Sequence, residues 1–160
     1  MERINRILKH NLFLECIAKT ESLEADRKFC HHDMVHFLDV ARLAMILNLK
    51  EGLGVDEDYI YAAALLHDIG RFRQYEDGTP HEKASAGLAP KILQECGFDD
   101  KETNVIIRAI LGHRNPQSAS ERNLTGLLYR ADKMSRSCFC CKAEAECNWK
   151  EGKKNRELHY

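Results

Sequence analysis

No run of apolar residues in this 160-residue chain approaches the roughly 20 that a membrane span requires, so no membrane partner is expected. Neither sign of charge is in excess. Lysine and arginine total 24 against 25 aspartates and glutamates, a formal net charge of −1 with histidine neutral. Nothing there points to nucleic acid or an anionic membrane surface as the main partner. No segment alternates apolar and polar residues as a half-buried strand does, and no repeat, linker or low-complexity tract divides the chain. The expectation is one all-α domain over residues 1–160, long enough to bury a real core. An export signal is missing as well: "MERINRILKHNLFLE" carries charge throughout and reads as the start of an amphipathic helix. Seven cysteines, an odd number without such a signal, favour a cytoplasmic protein with free thiols or metal thiolates over a disulfide framework.

What is present is helical periodicity, enough for about six helices. The first is expected over about residues 2 to 19, with Ile4, Ile7, Leu8, Leu12 and Phe13 on its apolar stripe, and a short helical piece from Ser22 towards Phe29. Residues 33 to 50 form a strong amphipathic helix that stops near Gly52, with Asp33 as its N-cap. Asp56 is placed to cap the helix carrying "YIYAAALLHD", and Gly70 suits the residue just past its end. "RFRQYEDGT" reads as a loop. Thr79, Pro80, His81 and Glu82 then predict a capping box with proline at the first helical position, and that helix runs to about Cys96 before Gly97. Asp99 and Glu102 repeat the box for a helix ending around Gly112 and His113. The last helix is expected over about residues 120 to 137, and residues 138–160 form a cysteine-rich tail.

Three of these helices turn a polar ligand-type residue towards their apolar side. Asp68 closes the aliphatic run "AAALLHD"; Leu124, Leu128, Asp132 and Ser135 share a stripe; His36 is followed by Val40, Leu43 and Leu47 at helical spacing. A buried carboxylate costs several kcal/mol unless it is paired or coordinates a metal. One divalent cation would satisfy all of these groups together, since neutral imidazole and carboxylate are the usual ligands of Fe, Mn, Zn and related ions. Taken singly, each has a plainer role: His36 as a hydrogen-bonded core histidine, Asp132 as a surface partner of Arg130, Lys133 or Arg136.

The order "HFLDVARLA", "ALLHDIG", "LLYRADKMS" resembles the HD superfamily of metal-dependent phosphohydrolases. In that family a first histidine precedes a Val-Ala pair, a His-Asp doublet closes an apolar helix, and a late aspartate sits in an Ala-Asp-Lys-like segment. The resemblance covers roughly residues 30 to 137. It implies a helical bundle holding a metal through His36, His67, Asp68 and Asp132. It further implies a second ion held by His81 and His113, with Asp68 bridging the two. Against that stand a first-turn surface role for His81 and a dipole-facing cation at a helix end for His113. Some family branches carry acidic residues soon after the doublet, where this chain has Arg71 and Phe72. The order His, His-Asp, His, His, Asp is more similar to the branch that includes bacterial diadenosine tetraphosphate hydrolases.

By the same resemblance, Asp68 and Arg71 are expected to carry catalysis through metal-activated water. Arg71 is the first choice for a phosphate contact and Arg114 and Arg136 the second, while Lys133, rotated about 100° from its neighbour Asp132, is expected at the surface. The cofactor is Fe, Mn, Ni, Co or Zn, as one ion or two. His31 and His32 either line the mouth of the site or shuttle a proton. Asp39 either orients His36 or lies at the surface. Cys138 and Cys141 have CxxC spacing and, with Cys147, either bind a further metal or an iron–sulfur cluster, or pack the tail as free thiols with Trp149 as anchor. The expected function is hydrolysis of a nucleotide, dinucleotide or other small phosphate ester. The alternatives are a di-iron oxygenase and a regulatory module that binds metal or nucleotide without turnover. A homodimer stays open.

Overall fold

Lys9 and His10 cut the first expected helix in two. In the computed structural model, which describes residues 1–160, α1 spans Glu2–Leu8 and α2 spans Asn11–Leu23. His10 adopts an extended backbone and its Nδ1 accepts from the Leu12 amide at 3.2 Å, so it caps α2 instead of continuing α1. Ile4, Ile7 and Phe13 are buried as the stripe requires, while Leu8 and Leu12 pack at its edge. α2 ends at Leu23, and the short helical piece expected beyond Ser22 is replaced by turns.

The helix α3 (Met34–Glu51) starts on Asp33, whose carboxylate accepts from the His36 amide at 3.0 Å, and ends on Gly52 at φ 62°. α4 (Glu57–Leu66) is the centre of the fold. Every residue from Ala62 to Leu66 is buried, and α4 packs against α1, α3, α6 (His81–Glu95), α7 (Asp100–Gly112) and α8 (Leu124–Met134). Three consecutive alanines let those neighbours approach closely, while Ile60, Leu65 and Leu66 fill the gaps between them.

Gly70 does not take the left-handed conformation expected of it: its φ is −85° and it begins α5 (Arg71–Glu76), a helix where a loop was expected. Its lack of a side chain serves contact. A Cβ there would lie 2.4 Å from the Ser85 backbone nitrogen and 2.6 Å from Ala84 Cβ, so only glycine lets α5 begin against α6. The capping box expected at Thr79 is absent, because Pro80 is the N-cap and the Thr79 amide donates instead to Asp77 Oδ1. The box at Asp99 and Glu102 forms in full, at 2.9 and 2.8 Å. Glu102 also receives Arg3, which reaches Asp58 as well, tying α1 to α4 and α7.

A 3₁₀ turn, Pro116–Ser120, lies between α7 and α8, and Asn123 caps α8, which begins at Leu124 and not at about residue 120. The all-α expectation holds, with eight α-helices instead of about six because of the break at His10 and the added α5. Beyond α8 the chain folds back in three short 3₁₀ turns. Asn155 secures this tail by donating to the carbonyls of Lys133 (2.7 Å) and Arg136 (2.8 Å), at and just beyond the end of α8. No helix is long and apolar enough to cross a membrane.

Candidate metal centre

Helix ends deliver the site. His36 lies in the first turn of α3, His67 caps the end of α4, His81 opens α6, His113 caps the end of α7, and Asp132 sits in the last turn of α8. All of them, with Asp68, are buried. They form two groups of close ligand atoms: His36, His67 and Asp132 in one, Asp68, His81 and His113 in the other.

Asp68 joins the groups. Its Oδ1 stands 3.2 Å from His81 Nε2 and 3.5 Å from His113 Nε2. Its Oδ2 stands 3.4 Å from His67 Nε2 and 3.9 Å from His36 Nε2. Asp132 Oδ1 is 3.6 Å from His36 Nε2 and 3.9 Å from His67 Nε2. Atoms each about 2.1 Å from a common ion come to lie about 3 to 4 Å apart, the spacing found here.

The outer ring nitrogens set the tautomers. His67 Nδ1–H donates to the Ala64 carbonyl at 2.7 Å, and His113 Nδ1–H donates to the Ile110 carbonyl at 2.6 Å. Ser135 uses its proton on the Asp132 carbonyl, so His36 Nδ1–H donates to Ser135 Oγ at 3.2 Å. Gln74 Oε1 receives His81 Nδ1–H at 2.6 Å. Each Nε2 lone pair is thereby directed inward, as a metal ligand requires. Arg71 Nη1 lies 2.7 Å from His81 Nδ1 and donates to the same Gln74 Oε1 at 3.2 Å, so guanidinium and ring share that acceptor.

Burial holds His36 down to about 2 and His81 down to about 3, so both are neutral. Burial works against the charges of Asp68 and Asp132 too, yet both carboxyls are held below their usual range, chiefly by His67 for Asp68 and by Lys133 for Asp132. Burial also opposes protonation of His67, but the charge of Asp68 outweighs it and raises that imidazole. A proton on His67 and a cation beside it answer the same negative charge. The test of fit lies in the buried atoms without partners: His67 Nε2 and Asp68 Oδ1 have no hydrogen bond at all. Such atoms are costly unless an ion takes the place of water. The residues present fit a divalent cation.

A cavity of about 450 Å³ opens above the centre. Arg71, Arg114 and Arg136 all line it, as expected of phosphate contacts. Arg71 Nη1 also donates to Gln74 Oε1, Arg136 donates to the His31 carbonyl, and Arg114 is half exposed, 3.9 Å from Glu82. Lys133 does not point away: its Nζ reaches 2.5 Å from Asp132 Oδ2, because the long stem bends back along α8. His32 is buried beside the centre, its Nε2 3.8 Å from Asp68 Oδ2, while His31 is exposed. Asp39 pairs with Arg42 at the surface, and Ser135 orients His36 instead.

Cys138, Cys141 and Cys147 line the cavity, as does Cys30, but no cysteine belongs to either group of close ligand atoms. Of the two readings of Cys138, Cys141 and Cys147, the thiolate metal or iron–sulfur site is not assembled, and the thiols are free. Cys138 opens the 3₁₀ turn that Cys141 follows, and Cys147 follows the next turn, Glu144–Glu146. Glu24 contacts His32 beside the centre and Gln74 contacts His81 within it, though no motif signalled either, each being one polar residue among several in its stretch.

The chain is similar to several known proteins. An uncharacterized protein of Clostridium beijerinckii is 45% identical over 160 residues, the whole of both chains. Ribonuclease Y of Oleidesulfovibrio alaskensis is 32% identical and that of Acetivibrio thermocellus 29%, over 79% of this chain but 22% of each ribonuclease. A crystal structure described as a predicted HD superfamily hydrolase, from an uncultured Thermotogales bacterium, shares the fold with a TM-score of 0.65 and 24% identity over 89% of this chain and 79% of that one. The HD domain family model matches residues 34–137, which contain all six residues of the centre. The chain belongs to the HD domain family.

Proposed function

We propose that this protein is a metal-dependent phosphohydrolase acting on a small phosphate ester or nucleotide. The observation that carries the reading is Asp68, whose two oxygens face two separate histidine groups at 3.2 and 3.4 Å. His36, His67, Asp132 and Asp68 Oδ2 would hold one ion, and His81, His113 and Asp68 Oδ1 a second. Bound there, divalent cations would activate water and offset charge on the phosphoryl oxygens. The protein's own groups do the rest. Arg71, Arg114 and Arg136 hold the phosphate against the centre, and the buried Nδ1–H bonds of the histidines keep the ligand geometry fixed before substrate arrives.

Arginine and lysine side chains on the cavity wall favour an anionic substrate over the oxygenase alternative. The name of ribonuclease Y carries cleavage of RNA, but this chain spans 22% of those proteins, so only the broader reaction class is taken from it.

The test loads the protein anaerobically with Fe, Mn, Co, Ni or Zn. Hydrolysis of nucleotides, dinucleoside polyphosphates, sugar phosphates and short RNA is then followed by separating the products, with inorganic phosphate measured for the monoesters. His67→Ala should lose metal and turnover with helical circular dichroism retained. Metal-loaded protein that hydrolyses none of these, or iron-loaded protein that instead consumes oxygen, would overturn the reading.

A further inference from the structure

The apolar part of the cavity wall is unusual in kind. No aliphatic side chain lines it: Phe29, Trp149 and four cysteines are its hydrophobic members, set among cations and the carboxylates of the centre. Phe29 comes from the loop after α2 and Trp149 from the tail, and both are half-buried. Both lie outside the family match at residues 34–137, so they belong to what distinguishes this chain. The two segments are stitched together. Lys28 Nζ, next to Phe29, bonds Glu146 at 2.5 Å, three residues before Trp149. Asn155 fastens the tail to the end of α8, the helix that carries Asp132.

We propose that Phe29 and Trp149 grip a nucleobase, so that the substrate is a free nucleotide whose phosphate is held over the metal centre; this rests on the phosphohydrolase reading. A flat π system buries its faces against aromatic rings and polarisable sulfurs while its edges stay in reach of polar groups. Base–aromatic stacking accepts any base, so the pair selects nucleotides as a class. A sugar phosphate offers no such face. A long nucleic acid would meet a chain with net charge −1 and a cavity of about 450 Å³.

Trp149 is the sole tryptophan, which makes it a reporter independent of turnover. The metal-loaded protein is titrated with adenosine 5′-(α,β-methylene)diphosphonate and with methylenediphosphonate, which lacks the base. The first should quench Trp149 emission and the second should not. By calorimetry, Trp149→Leu should weaken the base-bearing probe about 5- to 150-fold, with methylenediphosphonate unchanged and Trp149→Phe restoring most of the loss.

Equal losses for both probes in Trp149→Leu would mean a merely structural tail and overturn the grip. Unchanged binding of both in Trp149→Leu and Phe29→Ala would overturn it while leaving phosphate binding intact. Failure of the wild type to bind either probe would overturn the grip and the phosphohydrolase reading together. Stronger quenching by a short oligoadenylate than by the mononucleotide analogue would overturn the assignment to a free nucleotide.

Discussion

His32 Nδ1 lies 2.5 Å from Glu24 Oε1, and both side chains are buried. Glu24 also receives the His32 amide at 2.8 Å and the Tyr75 hydroxyl at 2.6 Å. Burial pushes its carboxyl up, but the bonds from His32 and Tyr75 prevail and bring it down to about 2. The pair aims His32 Nε2 at Asp68, joining the loop after α2 to the centre.

Removing one partner of that pair strands the other in a buried place. Glu24→Gln and His32→Phe should each destabilise the protein by about 1 to 3 kcal/mol in urea unfolding, and a double-mutant cycle should show coupling of about 1 kcal/mol or more. Strict additivity would mean that the contact contributes nothing.

Metal content separates the two ligand groups. Asp68→Ala takes an oxygen from both and should lower binding of both ions. His113→Ala touches the second group alone and should lose one ion while the other stays. Elemental analysis of protein purified with each metal reads the difference, and equal losses in the two variants would contradict the division.

Arg71 lines the cavity without belonging to either ligand group. Arg71→Ala should keep metal content and lower kcat/KM by about 10- to 100-fold, through loss of a charge-assisted phosphate contact. Wild-type kinetics in that variant would remove Arg71 from the site.

Gly70→Ala tests the close approach of α5 and α6. The added carbon meets backbone at 2.4 Å, which cannot swing aside as a side chain would. A cost of about 1 to 3 kcal/mol is expected in thermal or urea unfolding, and an unchanged midpoint would show that the helices separate freely.

Far from the centre, Arg3 provides a pH test. Its hydrogen bonds hold Glu102 below its ordinary 4.5. Partial burial opposes the charge of Asp58, but the bonds from the terminal amine and Arg3 hold that carboxyl below 3.8. Both carboxylates therefore add stability that is complete above those ordinary values and is lost as pH falls through the lower folded ones. Arg3→Ala should be less stable than wild type at pH 7, and the gap should shrink as the pH drops below about 4. A gap that widened in acid would reverse the sign of this account.

The amino-acid sequence by itself determined the helical class and several helix ends, and it marked His36, Asp68 and Asp132 as polar groups on apolar stripes. Those features are local. A carboxylate or imidazole on an apolar stripe is legible because burial makes it costly, and Asp33 and Asp99 are legible because a cap needs only its own next few residues. Tertiary structure decided what depends on segments meeting. Gly70 reads locally as a helix terminator, but its missing side chain is what lets α5 begin against α6. Lys133 reads locally as a surface residue, but its Nζ reaches Asp132. Glu24, Gln74 and the Phe29–Trp149 wall carry no local signal, because each matters only through a partner distant in the chain. The division follows from the range of the forces: propensity and capping act within a turn or two, whereas the centre and its cavity exist only where several helix ends converge.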